Sequence, residues 1–432
     1  MIERIVQGLR LVEDAGLLRA RGVHYGTARR FAPAEPAWPR DEILDGTRRG
    51  PKCPQLSSRL DVVNGPVADD LESNEDCLVL SVVAPADADG LPVMVWIHGG
   101  AYLSGSGEAA KYDTDSLARE GRVVVVNVSY RLGIFGYLTP DGIDVDNLGL
   151  RDQILALQWV RDNIVAFGGD PGRVTVFGQS AGGDSVLSLM LSADADGLFQ
   201  RAIMQSAPLG LRDGRETMTA AQRRVVTESL GSAPRAASVE KMLSAQAAVV
   251  AASASFGAVG GLPFAPILGC APLPDAAEVP ARIAAIAPKI EILIGHTKDD
   301  AAPFVARQTA AEPIGRFGVA GKIILRTVTA IATRKVFGNG ARKLAADWTA
   351  HGGRAATYRF DWVPEDAPFG AGHCIELPHL FGTPADWADA PVLGPSRVID
   401  TELATRMRSC WAGFAHDGVA ALGSRSLRFD TG

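Results

Sequence analysis

The chain has 432 residues, 47% of them hydrophobic, and a formal net charge of −6. This composition indicates a globular protein with a large buried core, and the modest negative charge argues against nucleic acid as a partner. Five cysteines are too few, and too odd in number, for a disulfide scaffold, and no spacing of cysteine and histidine resembles a zinc site. We therefore expect neither a metal nor a cofactor.

The N-terminus and the longest apolar stretch both argue against a membrane protein. Residues 1–6 carry charges where a signal peptide needs an apolar run, which predicts a cytoplasmic protein. Residues 247–270 come nearest to a membrane span, but Gly260, Gly261 and Pro263 interrupt them, so we expect no stable membrane insertion. We expect one domain over residues 1–432, present as a monomer or a weak dimer.

The first part of the chain predicts strands at the edge and in the centre of a sheet. Residues 1–52 are rich in loop-forming residues and predict short edge strands with irregular structure. Strands are then predicted at residues 78–83, 93–97 and 123–128. The second of these is apolar throughout, which is typical of a central strand, and it runs directly into a glycine loop at residues 98–100.

The clearest predicted helix spans residues 147–167. Its apolar residues recur on one face, and Gly168 and Gly169 end it. Further strands are predicted at residues 174–179, 202–205, 290–294 and 357–361. Strands that alternate with helices indicate an α/β protein, with a mostly parallel central sheet covered by helices on both faces. Ligands bind such sheets at the carboxyl ends of the strands, and all the candidate motifs follow strands.

The strand at residues 174–179 runs into Gly178-x-Ser180-x-Gly182 and then into an apolar helix. This pattern is typical of a nucleophile on a strained strand-to-helix turn, where the two glycines leave room beside the serine. The amino end of the following helix directs free N–H groups toward a developing oxyanion. A turn with a capping serine produces the same short motif, so the motif needs support from the rest of the chain.

An activated serine requires a base, and seven histidines are available. His373 lies in a glycine-rich loop after the last of these strands, in the order serine, acid, histidine that α/β-hydrolases follow. His379 follows a Leu-Pro pair where the chain turns back into structure, and we interpret it as a structural or pocket-lining residue. We interpret His98 as a brace for the glycine loop.

The acid should lie between Ser180 and His373, directly after a strand. Asp299 and Asp300 follow the strand at residues 290–294, and either of them fits this position. The alternative interpretation of such a pair is a solvated turn or a helix cap.

An oxyanion requires fixed backbone donors. Gly99 and Gly100 allow the backbone to approach a substrate closely, and Ala181 directly follows the nucleophile. These three N–H groups are the predicted oxyanion hole.

With the serine motif, several blocks together resemble the type-B carboxylesterase/lipase family, which also contains the cholinesterases. The blocks are residues 75–78, 127–137, 147–153, 167–171, 178–183 and 204–207. The resemblance covers roughly residues 50–415. It implies an α/β-hydrolase fold with a helical lid or gorge region, and the chain looks like a compact bacterial member of the family.

The resemblance also implies roles for individual residues. The acid of the family is a glutamate at the position of Asp300, which makes Asp300 the triad acid, although aspartate is one methylene shorter. A disulfide between Cys53 and Cys77 is implied. Ser206 belongs to a block whose serine lies behind the triad, and we interpret Glu376 as structural.

Two features differ from the family pattern. Asp184 occupies a position where a small apolar residue is commoner. We also expect the N-terminal strands to be shorter than those of the family.

The motifs and the resemblance predict a serine carboxylesterase that hydrolyses small, uncharged esters with short or medium acyl chains. The expected mechanism is a Ser180-His373-Asp300 triad with an acyl-enzyme intermediate. An amidase or carbamate hydrolase with the same triad is an alternative. A non-catalytic cholinesterase-like binding protein is another, although such proteins usually lack the serine or the histidine.

The walls of the substrate pocket are a separate prediction. Candidates for an apolar gorge or lid are Tyr102, Phe264, Phe304, Phe317 and residues 323–337. Residues 323–337 are equally consistent with an amphipathic surface helix.

Overall fold

The computed structural model describes residues 2–37, 43–308, 311–315 and 318–430. Its strands are β1 Ile2–Val6, β2 Leu9–Asp14, β3 Leu17–His24, β4 Gly26–Thr27, β5 Glu35–Pro36, β6 Leu44–Asp45, β7 Val79–Pro85, β8 Leu91–Ile97, β9 Val124–Val128, β10 Gly169–Gln179, β11 Arg201–Gln205, β12 Glu291–Thr297, β13 Ala355–Phe360 and β14 Ser426–Phe429. Its helices are α1 Asp61–Asn64, α2 Asp115–Gly121, α3 Gly133–Gly136, α4 Leu148–Asn163, α5 Ala181–Leu191, α6 Glu216–Leu230, α7 Val239–Ser253, α8 Gly257–Gly260, α9 Val279–Ile286, α10 Ala302–Ala306, α11 Ala311–Gly315, α12 Gly318–Thr333, α13 Asn339–Ala350, α14 Leu377–Leu380 and α15 Thr401–Asp417. A π-helical turn, Arg334–Gly338, joins α12 to α13.

Twelve of the described strands form one sheet, in the order β1-β2-β3-β7-β9-β8-β10-β11-β12-β13-β14, with β6 paired to β2. All neighbours from β9 to β14 in this order run parallel. The remaining part, β1, β2, β3 and β7, is an antiparallel edge. The carboxyl ends of β8, β10, β11 and β12 therefore meet at one edge of the sheet. The predicted mostly parallel α/β architecture is confirmed.

The alternation of side chains along β8 divides the core between the two faces of the sheet. Val93, Val95 and Ile97 belong to the core cluster that includes residues of α4 and α5. Met94 and Trp96 belong to the opposite cluster, with residues of α2 and α15. All five side chains are fully buried. Burial of such a side chain contributes roughly 1.5–3 kcal/mol, so β8 is firmly fixed where it leads into the glycine loop.

The prediction of short edge strands in residues 1–52 is confirmed, although more of the first 24 residues form strands than we expected. The first 24 residues contain three strands, and β3 pairs with β7 over most of its length. Apolar residues alternate in β2 and β3, with Leu9, Leu11 and Leu17 buried against the sheet. This period of two is the signal of a half-buried strand.

At the other edge of the sheet, β14 was not predicted, because its four residues bury only Phe429 fully.

One helical stretch among the described residues, Val239–Gly260, is long and apolar enough to cross a membrane by length and composition. It begins in α7 and continues through a short 3₁₀ turn into α8. Met242, Ala245 and Val249 of α7 are buried in the core of the protein. Part of the apolar surface of this stretch is therefore buried in the core of the protein.

Candidate active site

Ser180 lies on the sharp turn between β10 and α5. Its backbone has φ 57° and ψ −124°, an unfavourable conformation for a residue with a side chain. A Cβ at Gly178 would lie 2.5 Å from the carbonyl carbon of Gly182, and a Cβ at Gly182 would lie 2.0 Å from the carbonyl oxygen of Ile97. Both glycines are therefore needed for the turn, and Ser180 borders a cavity at the strand ends.

His373 and Asp300 form a buried pair beside this turn. The Nδ1 atom of His373 lies 2.5 Å from Oδ1 of Asp300, and neither side chain is exposed. The other carboxylate oxygen of Asp300 accepts a hydrogen bond from the backbone N–H of Thr297 at 3.1 Å. Asp300 is thus held at the end of β12 in an orientation that faces the imidazole.

Asp299 has a different position. Its Oδ2 atom accepts a hydrogen bond from the backbone N–H of Ala371 at 3.1 Å, and its own N–H donates to the carbonyl oxygen of Ala371. Asp299 therefore fastens the loop that carries His373. Of the two aspartates left open by the residue pattern, Asp300 is the one that the fold brings to the imidazole.

The contact between the serine and the imidazole is open in this structure. Within the described residues, the side chain of Ser180 has no hydrogen-bond partner. The Nε2 atom of His373 lies 3.3 Å from the amide Nε2 of Gln179, which also lies 3.3 Å from Sγ of Cys374. Hydrogen bonds between catalytic groups are often long before substrate binds. Gln179 was not singled out from the sequence, because its position beside the serine gives no indication that its amide meets the histidine.

The predicted oxyanion donors converge at the same turn. The ideal Cβ of Gly99 would lie 3.2 Å from Cβ of Ser180, so this loop lies directly against the nucleophile. Gly100 has φ 112°, and a Cβ there would lie 1.9 Å from the carbonyl oxygen of Ser104. Among the described residues, the backbone N–H groups of Gly99, Gly100 and Ala181 donate no hydrogen bonds. Their role as oxyanion donors stays a prediction.

His98 braces the glycine loop, as interpreted from the sequence. Its Nδ1 lies 2.8 Å from the carbonyl oxygen of Gly99, and its ring stacks on Tyr130. Burial lowers the pKa of His98 to about 4, so this imidazole is neutral near pH 7.

His379 is also buried, and burial lowers its pKa to about 4. Its ring packs against Phe360 and Trp362.

Two opposing effects act on the protonation of His373. Burial lowers the pKa of this imidazole, whereas Cys374 and the Asp300 carboxylate raise it, and the net result is a pKa well above the usual value. The rings of Phe304 and Phe337 lie 5.2 and 5.4 Å from the imidazole and exclude water from it. A negative charge on Asp300 thus stabilises an imidazolium at His373.

Glu376 lies behind the histidine and is fully buried. Its Oε1 accepts a 3.4 Å hydrogen bond from Gln205, while Oε2 has no partner among the described residues. Ser206 follows Gln205, has φ 47°, and its hydroxyl is also buried without a described partner. Burial, with repulsion from Asp300 as a further cause, raises the pKa of Glu376 to about 7.

Because the pKa of Glu376 is higher in the folded protein than in the unfolded chain, the fold favours its protonated form. The associated stabilisation is present below about pH 4.5 and is lost as the pH rises through 7. We expect Glu376→Gln to remove this dependence, so that the variant gains up to roughly 3 kcal/mol over the wild type between pH 5 and pH 8. Urea unfolding at both pH values measures it. Glu402→Gln, at an exposed position, is the control, and equal slopes for wild type and Glu376→Gln would contradict the assignment.

The disulfide implied by the resemblance is not formed in this structure. Cys53 and Cys77 are both buried free thiols. A hydrogen bond with Cys53 and burial together raise the pKa of the Cys77 thiol, and Cys53 Sγ accepts a hydrogen bond from the backbone N–H of Leu132. The two thiols are therefore neighbours that are held by hydrogen bonds and not by a covalent bond.

The cavity at Ser180 has a volume of about 620 Å³ and a mainly apolar lining. Phe304 lines it, as predicted. Tyr102 does not, because it is buried and its hydroxyl donates a 2.7 Å hydrogen bond to Asp184. Phe264 is buried in the core, and Phe317 lies outside the described residues. The unusual Asp184 is thus part of a buried network, in which Arg212 is its ion-pair partner.

The predicted lid segment meets the cavity only at its C-terminal end. Ala332, Val336 and Phe337 line the cavity. Along α12, by contrast, the apolar side chains that we expected in the gorge are exposed; these are Ile323, Ile324, Val328 and Ile331. The interpretation as a surface helix is therefore correct for most of α12.

Known proteins resemble this chain over most of its length. The model of the carboxylesterase family matches residues 12–316. A protein named probable N-octanoylanthranilate hydrolase from Rhodococcus erythropolis is 42% identical over an alignment of 404 residues, which covers 92% of this chain and 88% of that protein. The para-nitrobenzyl esterase of Bacillus subtilis (strain 168) is 34% identical over 90% of this chain and 83% of its own length.

A solved structure shows the same overall fold. The structure titled thermophylic PNB esterase superposes with a TM-score of 0.81 and 31% sequence identity, over 98% of this chain and 94% of that chain. The relatives are hydrolases, and the non-catalytic alternative loses its support. The chain therefore belongs to the carboxylesterase family, and it is a carboxylic ester hydrolase with the α/β-hydrolase fold.

Proposed function

We propose that Ser180 is the nucleophile, His373 the general base and acid, and Asp300 the carboxylate that orients the imidazole. The observation that carries this proposal is the fully buried 2.5 Å contact between His373 Nδ1 and Asp300 Oδ1, beside a serine on a strained turn. A carboxylate at Nδ1 fixes the tautomer that leaves Nε2 free to accept a proton.

The proposed reaction has two steps. In the first, His373 Nε2 accepts the hydroxyl proton of Ser180 while Oγ bonds to the ester carbonyl carbon. The tetrahedral oxyanion is met by the N–H groups of Gly99, Gly100 and Ala181. The alcohol then leaves with the proton from His373. In the second, water attacks the acyl-enzyme by the same sequence and releases the acid and the free serine.

Gln179 has to give way in the first step. Its amide now lies at Nε2 of His373, the atom that must meet Ser180 Oγ. The proposed mechanism requires His373 Nε2 to exchange its contact with Gln179 for one with Ser180 Oγ. The backbone of Ser180 is independently fixed by its N–H, which donates to the carbonyl oxygen of Gln205 at 2.8 Å.

The cavity supports esters with short or medium acyl chains. A volume of about 620 Å³ lies within the usual range for small-molecule sites, and side chains such as Leu103, Leu211 and Val250 provide an apolar surface. An acyl chain gains about 0.8 kcal/mol for each methylene that is buried. We expect the specificity constant to rise with chain length until the cavity is filled.

Amide hydrolysis is a second candidate, favoured by one observation. The relative that is 42% identical over 92% of this chain is named for an N-octanoyl substrate, which is an amide. The same serine, base and oxyanion hole would serve both reactions, because both pass through a tetrahedral oxyanion. An octanoyl chain also matches a cavity of this size.

A matched panel of substrates tests these proposals. We expect p-nitrophenyl esters from acetate to laurate to be hydrolysed, with the highest kcat/KM at a medium chain length, and octanoyl p-nitroanilide to be slower than the octanoate ester. Faster hydrolysis of the anilide would make the amide the preferred class. Inertness toward every ester would overturn the proposal.

A further inference from the structure

Two arginines border the cavity that contains Ser180. Arg59 lies just before α1, and Arg307 follows α10 directly. Nη1 of Arg307 donates a 2.7 Å hydrogen bond to the carbonyl oxygen of Arg59, and Nη2 of Arg59 donates a 3.1 Å hydrogen bond to the carbonyl oxygen of Gly261. Each guanidinium is therefore anchored by one nitrogen to backbone at the cavity wall, and its other N–H groups remain available.

Neither of these charges is paired with a carboxylate whose position the structure describes. Among the described side chains, which do not include that of Glu312, no carboxylate lies within ion-pair distance of Arg59 or Arg307. Other arginines of this protein have such partners, as in the pairs Arg131–Asp152 and Arg30–Glu75. Other arginines, such as Arg173 and Arg215, also contact only backbone carbonyls, so Arg59 and Arg307 differ from them in lying side by side at the border of the cavity.

Both arginines are exposed to solvent at the border of the cavity, and apolar side chains lie beside them. The neighbouring lining includes Leu60, Val62 and Phe304, which provide no hydrogen bonds. Desolvation, and secondly the charge of Arg307, lower the pKa of Arg59. The attraction of a negative charge between the two guanidinium groups would offset both effects.

We propose that Arg59 and Arg307 form a carboxylate-binding subsite, and that the preferred substrates are esters or amides that carry a free carboxylate in addition to an apolar acyl chain. A planar guanidinium presents paired N–H donors that match a carboxylate. The acidic residues nearest to Arg59 in the sequence are Asp61 and Asp69. Both border a second, more polar cavity beside the one that contains Ser180. This inference rests on the proposed function of Ser180, because the subsite orients substrate toward that nucleophile.

The test uses two substrates that differ in charge and little in shape. The octanoate ester of 3-hydroxybenzoate carries a carboxylate, and the octanoate ester of 3-hydroxybenzamide replaces it with a neutral amide. We expect the wild type to prefer the anionic ester. Arg59→Gln and Arg307→Gln should each reduce kcat/KM for the anionic ester by about fivefold to tenfold, mainly through KM, and leave the neutral ester within about twofold. Arg59→Lys should recover part of the loss.

Controls separate this subsite from the catalytic proposal. Arg161→Gln removes an exposed arginine of α4 that pairs with Asp162 outside the cavity, and it should leave the charge preference unchanged. Added salt should weaken the preference of the wild type, because it screens the charges. If both glutamine variants hydrolyse the two esters in the wild-type ratio, the subsite is wrong while the proposed function stands. If the wild type hydrolyses neither ester, the proposed function itself fails.

Discussion

Replacement of Ser180 by alanine is expected to reduce kcat by about 10⁵-fold to 10⁶-fold. The hydroxyl is the atom that forms the acyl-enzyme, and no other hydroxyl lies on the strained turn between β10 and α5. The remaining activity would come from the oxyanion donors and from binding alone. Initial rates with p-nitrophenyl octanoate measure the loss, after urea unfolding has shown that the variant is folded.

Ser188→Ala is the matched control for that variant. Ser188 lies on α5, is buried, and its hydroxyl donates to the carbonyl oxygen of Asp184 at 3.0 Å, away from the cavity. We expect a change of no more than a few fold in kcat/KM. Activity of Ser180→Ala within tenfold of the wild type would show that another group is the nucleophile.

The second large effect distinguishes the two neighbouring aspartates. We expect Asp300→Asn to lower kcat by about 10³-fold to 10⁴-fold at neutral pH, because an amide can donate to Nδ1 of His373. The ring proton then moves to Nε2, which can no longer accept the proton of Ser180. The substitution is nearly isosteric, so the loss would reflect charge and tautomer and not packing.

Asp299→Asn is the internal control for the same experiment. Its carboxylate contacts the backbone of Ala371 and not the imidazole, so we expect a loss of less than about tenfold. Both variants are compared by kcat and KM across pH 6–9. A larger loss in Asp299→Asn than in Asp300→Asn would show that Asp299, and not Asp300, is the acid of the triad.

Much of the fold could be predicted because the central strands are rich in apolar residues. Residues 93–97 are apolar throughout, residues 174–179 are buried with only Thr175 and Gln179 polar, and such runs are typical of strands in the middle of a covered parallel sheet. The N-terminal edge was harder to predict, because its strands are partly exposed and rich in charge. The strand β3 pairs with β7, and β2 and β1 extend the sheet beyond β3, so pairing holds these strands in place.

The residues of the candidate site also fall into two groups, those that a local sequence pattern indicates and those that it does not. Ser180, Gly99 and Gly100 belong to motifs whose local backbone requirements are visible in the sequence. The contact between Gln179 and His373, by contrast, joins residues 194 positions apart. Arg59 and Arg307 meet over 248 positions. Such contacts depend on how loops from different strands come together, and no local pattern records them.

The pocket walls were predicted poorly for a related reason. Aromatic residues such as Tyr102 and Phe264 lie in the core as often as in a gorge, and the sequence does not distinguish these environments. The exposure of the apolar face of α12 is equally hidden, because an amphipathic pattern shows which residues share a face and not where that face points.

The most direct test of the proposed mechanism is mass spectrometry of the protein after reaction with a fluorophosphonate, which phosphonylates an activated serine. We predict one adduct per chain, on the peptide that contains Ser180, and strongly slowed labelling in Asp300→Asn. An adduct on another residue, or hydrolysis of esters by a protein that never becomes labelled, would contradict a mechanism through Ser180, His373 and Asp300.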